Sequence, residues 1–213
     1  MIVDIITLFP DMFSGPFDMS ILKKAKEKGL VEINFHDLRQ FGITERKTVD
    51  DRPYGGGAGM ILRIDVIDNA LTSIKAKPKS KNSKIILLDA GGEKFTQKKA
   101  YEYSSLKRLV LICGHYEGID HRVHDHIVDE IISIGDYVLT GGEIPAMVIT
   151  DTVTRLIPGV IKKESLLEES HSMEEIETEY PQYTRPPLYK KWGVPEILLT
   201  GNHKNIDIWR KRT

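Results

Sequence analysis

The sequence is short of cysteine, of long apolar runs and of any charge bias, and each shortage excludes a class of protein. One cysteine, Cys113, stands among 213 residues, so no disulfide can form within the chain and a disulfide-stapled scaffold is excluded. Cys113 falls in the apolar run LVLICG, where a thiol reads as a small buried hydrophobe rather than a nucleophile. A reducing, cytoplasmic compartment is expected. No apolar stretch approaches the roughly 20 residues that cross a bilayer. The N-terminal MIVDIITLFPDMF has neither the basic flank nor the small-residue cleavage site of a secretory signal, so a chain without a membrane partner is expected. Both standard phosphate-cradling patterns, G-x-x-x-x-G-K-[ST] and G-x-G-x-x-G, are missing as well. What ligand the glycine-rich stretches hold is therefore the question the rest of the chain must answer.

The net charge of −1 argues neither for nor against a nucleic-acid partner, but the charges are segregated. Arg39, Arg46, Lys47 and Arg52 mark one segment, and Lys75 to Lys84 form a lysine-rich stretch that also suits a solvated loop. Lys190, Lys191, Arg210, Lys211 and Arg212 collect near the end, whereas residues 164–179 carry seven glutamates and no lysine or arginine. Local basic footprints of this kind can meet phosphates despite a neutral total.

Apolar runs of strand length alternate with segments of helical period. Strands are expected at 2–9, 31–38, 84–90, 108–114 and 129–135, the last four nearly continuous in apolar residues as strands buried on both faces require. Helices are expected at 18–30, 63–76, 96–106 and 143–157, with Asp18 and Thr96 as N-caps and Gly29 at a C-terminus. This order predicts an α/β domain with a mainly parallel sheet and helices on both faces, over 1–159. Residues 160–187, acidic and then closing on PQYTRPP, read as an interdomain linker; 188–213 offer one apolar patch and a short helix.

In a parallel sheet ligands bind where loops leave the carboxyl ends of strands, and here those loops hold the glycines: DAGGE (89–93), GHYEGID (114–120) and IGDYVLTGGE (134–143). Each alone also suits a tight turn. Together with LFPDMF (8–13), TVDDRPYGGGAGM (48–60), RLIPGV (155–160), PQYTRP (181–186) and LLTGNH (198–203), they resemble the bacterial tRNA (guanine-N1)-methyltransferase, or TrmD, family over nearly the whole chain.

That resemblance implies a knotted, SPOUT-type fold with a trefoil knot at the end of the first domain. It implies a homodimer with shared active sites that methylates N1 of guanosine 37 beside the anticodon of tRNA, with S-adenosylmethionine as methyl donor and Mg2+ required. The donor-binding residues implied are Leu88, Gly114, Tyr116, Gly118, Ile134, Gly135, Asp136, Tyr137, Val138, Leu139, Gly141, Gly142 and Pro145. An adenine needs an apolar slot edged by backbone donors and acceptors, which the 134–139 segment can supply. Asp51, Arg52, Tyr54, Gly56 and His203 are the implied tRNA contacts, an arginine suiting phosphate or base and a tyrosine a ring stack.

The chemistry needs a base, because N1 of neutral guanine carries a proton. Family members use a linker Asp followed by Ser, with an Arg at the end of the preceding helix opposing charge on O6. Arg155 matches that Arg. KESLLEESHSMEE contains no aspartate; Glu169-Ser170 matches the Asp-Ser pair across a small gap, while an ungapped match sets Ser170 opposite the Asp and brings His171 beside it. Both Glu169 and His171 stand as candidate bases. HRVHDH clusters three imidazoles, but His126 leaves the face shared by His121 and His124 and no fourth ligand is near, so no metal site is expected. Family members commonly run on beyond the position of Trp209 with further helices, so a shortened tRNA-gripping segment is expected.

Overall fold

In a computed structural model, residues 1–167, 169–171 and 179–210 are described. Two compact units follow one another along the chain, residues 1–163 and 164–213. The first contains β1 (Ile2–Thr7), α1 (Ser20–Glu27), β2 (Glu32–Asp37), β3 (Asp50–Asp51), β4 (Ile61–Leu62), α2 (Ile64–Ser73), β5 (Ser83–Lys94), α3 (Gln97–Ser104), β6 (Arg108–Cys113), α4 (His121–His126), β7 (Glu130–Ser133) and α5 (Glu143–Leu156). Its main sheet runs β2-β1-β6-β5-β7, with every neighbouring pair parallel. The fold is thus α/β with a parallel sheet, as the alternation of the sequence predicts.

Period-2 side chains divide between the two faces of the sheet. Ile6, Ile85, Leu87, Val110 and Ile112 meet Val66, Ile67, Ala70 and Leu71 of α2 and Val123 of α4 in one buried cluster. α5 packs on β1 and β6, with α1 and α3 against it, and buries Ala146, Ile149 and Val153. Each such Val, Leu or Ile side chain contributes roughly 1.5–3 kcal/mol by leaving water. Cys113 is fully buried, and burial first, then the charge of Glu143, pushes its thiol well above the ordinary range. That is an inert thiol.

Local signals hold at some positions and yield at others. Thr96 caps α3, its Oγ1 accepting from the Lys99 N–H at 3.4 Å, and Gly29 follows the last turn of α1 at φ 67°. Asp18 does not cap α1: Met19 holds that position without a side-chain bond, and the Asp18 carboxylate pairs instead with Lys26 at 2.9 Å. β2, expected to be buried on both faces, is an edge strand and half-exposed. DAGGE, expected as a loop, stays inside β5 as an outward bulge, since Leu88 and Glu93 both pair with Ile132. Gly92 permits that return, because a Cβ there would lie 2.6 Å from the Ile131 backbone.

The second unit contains most of α6 (Lys163–Leu167), the hairpin β8 (Leu188–Tyr189) and β9 (Trp192–Gly193), α7 (Glu196–Leu199) and α8 (His203–Arg210). Trp209 leans on Tyr183 at 6.5 Å between ring centres, and Arg210 lies over Tyr180. Among the described residues no helix is long and apolar enough to cross a membrane.

Candidate functional site

Because the strands are parallel, the bulge within β5 and the loops leaving β6 and β7 open on one edge. They enclose a cavity of about 250 Å3. Twelve of the thirteen residues expected to hold a methyl donor line it: Leu88, Gly114, Tyr116, Gly118, Ile134, Gly135, Tyr137, Val138, Leu139, Gly141, Gly142 and Pro145. The side chain of the thirteenth, Asp136, is turned to solvent and paired with Lys94. Asp89, Ala90, His115, Glu117, Ile119, Ile132, Ser133 and Thr140 also line the cavity; most of them sit inside the quoted motifs, where position in the motif was a signal but residue type alone was not.

Glycine is required where the loops touch. The Gly142 N–H donates to the Gly114 carbonyl at 2.8 Å, and a Cβ on Gly142 would meet the Cys113 Cα at 2.6 Å. The neighbouring turn holds Tyr116 in the left-handed region at φ 60°, a strained conformation typical of ligand loops. Tyr137 and Val138 stand 55% and 86% exposed, so the cavity has an apolar rim unsatisfied by the chain itself. His115 packs on Phe9 at 4.9 Å between ring centres, and its buried Nδ1 has no hydrogen-bond partner.

The loop 51–60 is stitched to the loop 114–120. Leu62 N–H donates to the Gly118 carbonyl at 2.9 Å, Glu117 N–H to Met60 at 3.1 Å, and Asp120 N–H to Leu62 at 3.0 Å. Gly59, at φ 71°, leaves room for the Glu117 side chain. Beside this seam lies a second cavity, about 420 Å3, lined by Asp51, Arg52, Tyr54, Arg63, Asp65, Asp120 and Arg122 among others. Arg63 bridges Asp65 (3.0 and 2.7 Å) and Asp51 (3.0 Å); Arg122 forks onto Asp120 at 2.9 and 2.6 Å. The guanidinium hydrogen bonds hold the Asp65 and Asp120 carboxyls below their usual range. Arg52 and Tyr54 are exposed, Tyr54 completely, and Gly56 lies in the adjoining hollow with Arg52. Sequence reasoning singled out neither Arg63 nor Arg122; Asp65 and Asp120 lie two residues from them, and only the Arg63–Asp51 contact depends on the pairing of β3 with β4.

Arg155 occupies the last turn of α5 and is half-buried. In the second unit Glu169 is half-buried, His171 is exposed at φ 62°, and Ser170 Oγ between them accepts from the Glu179 N–H at 2.8 Å. His203 is exposed at the start of α8. His121 and His124 stack at 4.9 Å and approach Asp125 and Asp89 at 3.6 Å each. Among the described residues no three His, Cys, Asp or Glu side chains converge as metal ligands.

Residues 1–213 match the family model described as tRNA (Guanine-1)-methyltransferase TrmD. The chain is 54% identical over 210 residues to the tRNA (guanine-N(1)-)-methyltransferase of Carboxydothermus hydrogenoformans, covering 99% of this chain and 81% of that protein. It is 54% identical over 211 residues to the protein of the same name from Dictyoglomus turgidum (99% and 83%) and 53% identical over 211 residues to that of Geobacillus kaustophilus (99% and 85%).

Proposed function

The chain belongs to the tRNA (guanine-1)-methyltransferase TrmD family, and from that premise we propose that it moves a methyl group from S-adenosylmethionine to N1 of guanosine 37 in tRNA. The observation that carries this reading is the convergence of the β5 bulge and the two glycine loops after β6 and β7 on one cavity with an exposed apolar rim. Such a slot suits an adenine, and close backbone approach at Gly141 and Gly142 suits a ligand without phosphate. The bound donor supplies an electrophilic methyl on a sulfonium.

The chain's own residues do the rest. The 134–142 and 114–118 loops bind and orient the donor, and their apolar rim excludes water. Arg52, Tyr54 and the neighbouring Arg63 and Arg122 meet the RNA, where guanidinium groups suit phosphate and base edges. Glu169 takes the N1 proton, with His171 as the second candidate, and Arg155 opposes the charge that develops on O6. In our reading the donor lies in one subunit, while Arg155 and the 164–171 segment come from the other across an isologous two-fold, in a knotted domain acting in the cytoplasm. A magnesium ion belongs to the reading by family alone. No convergent ligand set stands among the described residues, and no step is assigned to it.

The test is incubation of the protein with labelled donor and tRNA transcripts carrying G or A at position 37. Label is expected in the first alone, as 1-methylguanosine on nuclease digestion. Equal labelling of both would overturn the site assignment; labelling of neither, with the donor bound, would leave an RNA-binding module that keeps its cofactor site.

A further inference from the structure

The charges around the strand-end cavity are of one sign. Its lining includes Asp89 and Glu117 and no lysine or arginine. A third carboxylate stands directly behind the lining: Glu143, the first residue of α5, is 2% exposed. Its Oε1 accepts from the Thr7 hydroxyl at 2.7 Å, and Thr7 Oγ1 in turn accepts the Phe9 N–H at 2.9 Å, so the side chain is fixed from β1. Its Oε2 lies 2.4 Å from where a Cβ on Gly141 would be, and Gly141 lines the cavity. His115 Nδ1 borders the same point at 2.7 Å, buried and without a partner. Among the described residues no ammonium or guanidinium forms an ion pair with Glu143. A buried carboxylate held by one neutral hydroxyl and a helix N-terminus is costly in the empty site, and a cation nearby relieves that cost.

We propose that Glu143 is a specificity-determining residue that makes the cavity favour a cationic ligand over its neutral counterpart, so that it separates the sulfonium methyl donor from the thioether left after transfer. The inference rests on the donor reading given above. When the methyl group leaves, sulfur keeps the electron pair of the broken C–S bond, and the ligand loses one positive charge. The fixed carboxylate then loses its partner and the product is bound less tightly, which favours its release. Glycine at 141 is what lets a buried charge stand this close to the ligand, because any side chain there would displace it.

Equilibrium binding of S-adenosylmethionine, S-adenosylhomocysteine and the amine-bearing analogue sinefungin to the full chain tests this. Wild-type protein is expected to hold both cations more tightly than the thioether. Glu143→Gln, which keeps the shape and the Thr7 contact, should cut the donor-to-thioether affinity ratio by roughly five- to twentyfold, as one unit charge a few ångströms away would. Thr7→Val, which keeps the charge, should leave most of that ratio intact. Equal losses for all three ligands in Glu143→Gln would mark a purely structural residue and overturn the proposal. So would a wild-type protein that holds the thioether as tightly as the cations, a result that needs no variant to fold. Wild-type protein that binds none of the three would overturn the donor reading itself, and the proposal with it.

Discussion

Two cavities of the first unit border one seam of backbone hydrogen bonds, yet they are built from opposite materials. The strand-end cavity is made of glycines, apolar rim residues and main chain, with carboxylates as its charged groups. The cavity beside it is made of arginines already forked onto aspartates, with Arg52 and Tyr54 exposed at its edge. Backbone packed against backbone gives a fixed shape for one small ligand. Long side chains on a short hairpin trade one carboxylate for a phosphate at little cost, and so suit a polymer. Under the proposed function the difference would assign one cavity to the donor and the other to RNA, and it says which mutations should touch which ligand.

The largest effect is expected where both ligands still bind but chemistry stops. Glu169→Gln should slow single-turnover methyl transfer by roughly two to four decades with donor affinity unchanged; a near-normal Glu169→Gln with an inactive His171→Ala would move the base to the imidazole. Arg155→Ala should cost about two to three decades in the same assay, and its melting temperature should barely move. Gly142→Val attacks the strand-end cavity alone. Its Cβ would collide with the Cys113 backbone, and donor affinity should fall about a hundredfold, equivalent to roughly 2.7 kcal/mol, while tRNA affinity measured by filter binding changes little. Arg52→Ala attacks the other side: tRNA affinity should fall about tenfold and its salt dependence should flatten, with calorimetric donor binding intact.

The smallest effect concerns acid. Asp120 has its folded pKa held down by Arg122, so its contribution to stability is complete above the unfolded value of about 3.9 and is lost as pH falls through the folded one. Asp120→Asn should therefore lower the melting temperature slightly at pH 7, where the carboxylate's contribution is complete, and shallow its further loss between about pH 5 and 3, so that variant and wild type converge in acid.

The sequence made the sheet legible because parallel strands buried between helices read as continuous apolar runs, as RLVLIC does in β6. β2 misled for the same reason in reverse: VEINFHDL is apolar enough for a central strand, and its place at the edge depends on which strand pairs with β1. Asp18 looked like a cap because Asp before a helix usually is one, but Lys26 lies within reach and takes the carboxylate. At the site, glycine spacing marked the loops, since close backbone contact leaves no alternative to glycine. Thr7 and Glu143 carried no such mark. They are 136 positions apart, each unremarkable in its own segment, and meet only when α5 is laid across β1. The Arg63–Asp51 contact across β4 and β3 was hidden likewise.

The measurement that bears most directly on the account is a structure of the protein with S-adenosylmethionine bound. The adenine is expected between the 134–139 segment and the 114–118 loop, with Gly141 and Gly142 against the ligand. A donor lodged instead among Arg52, Arg63 and Arg122, or anywhere that leaves the strand-end cavity empty at calorimetric saturation, would contradict it.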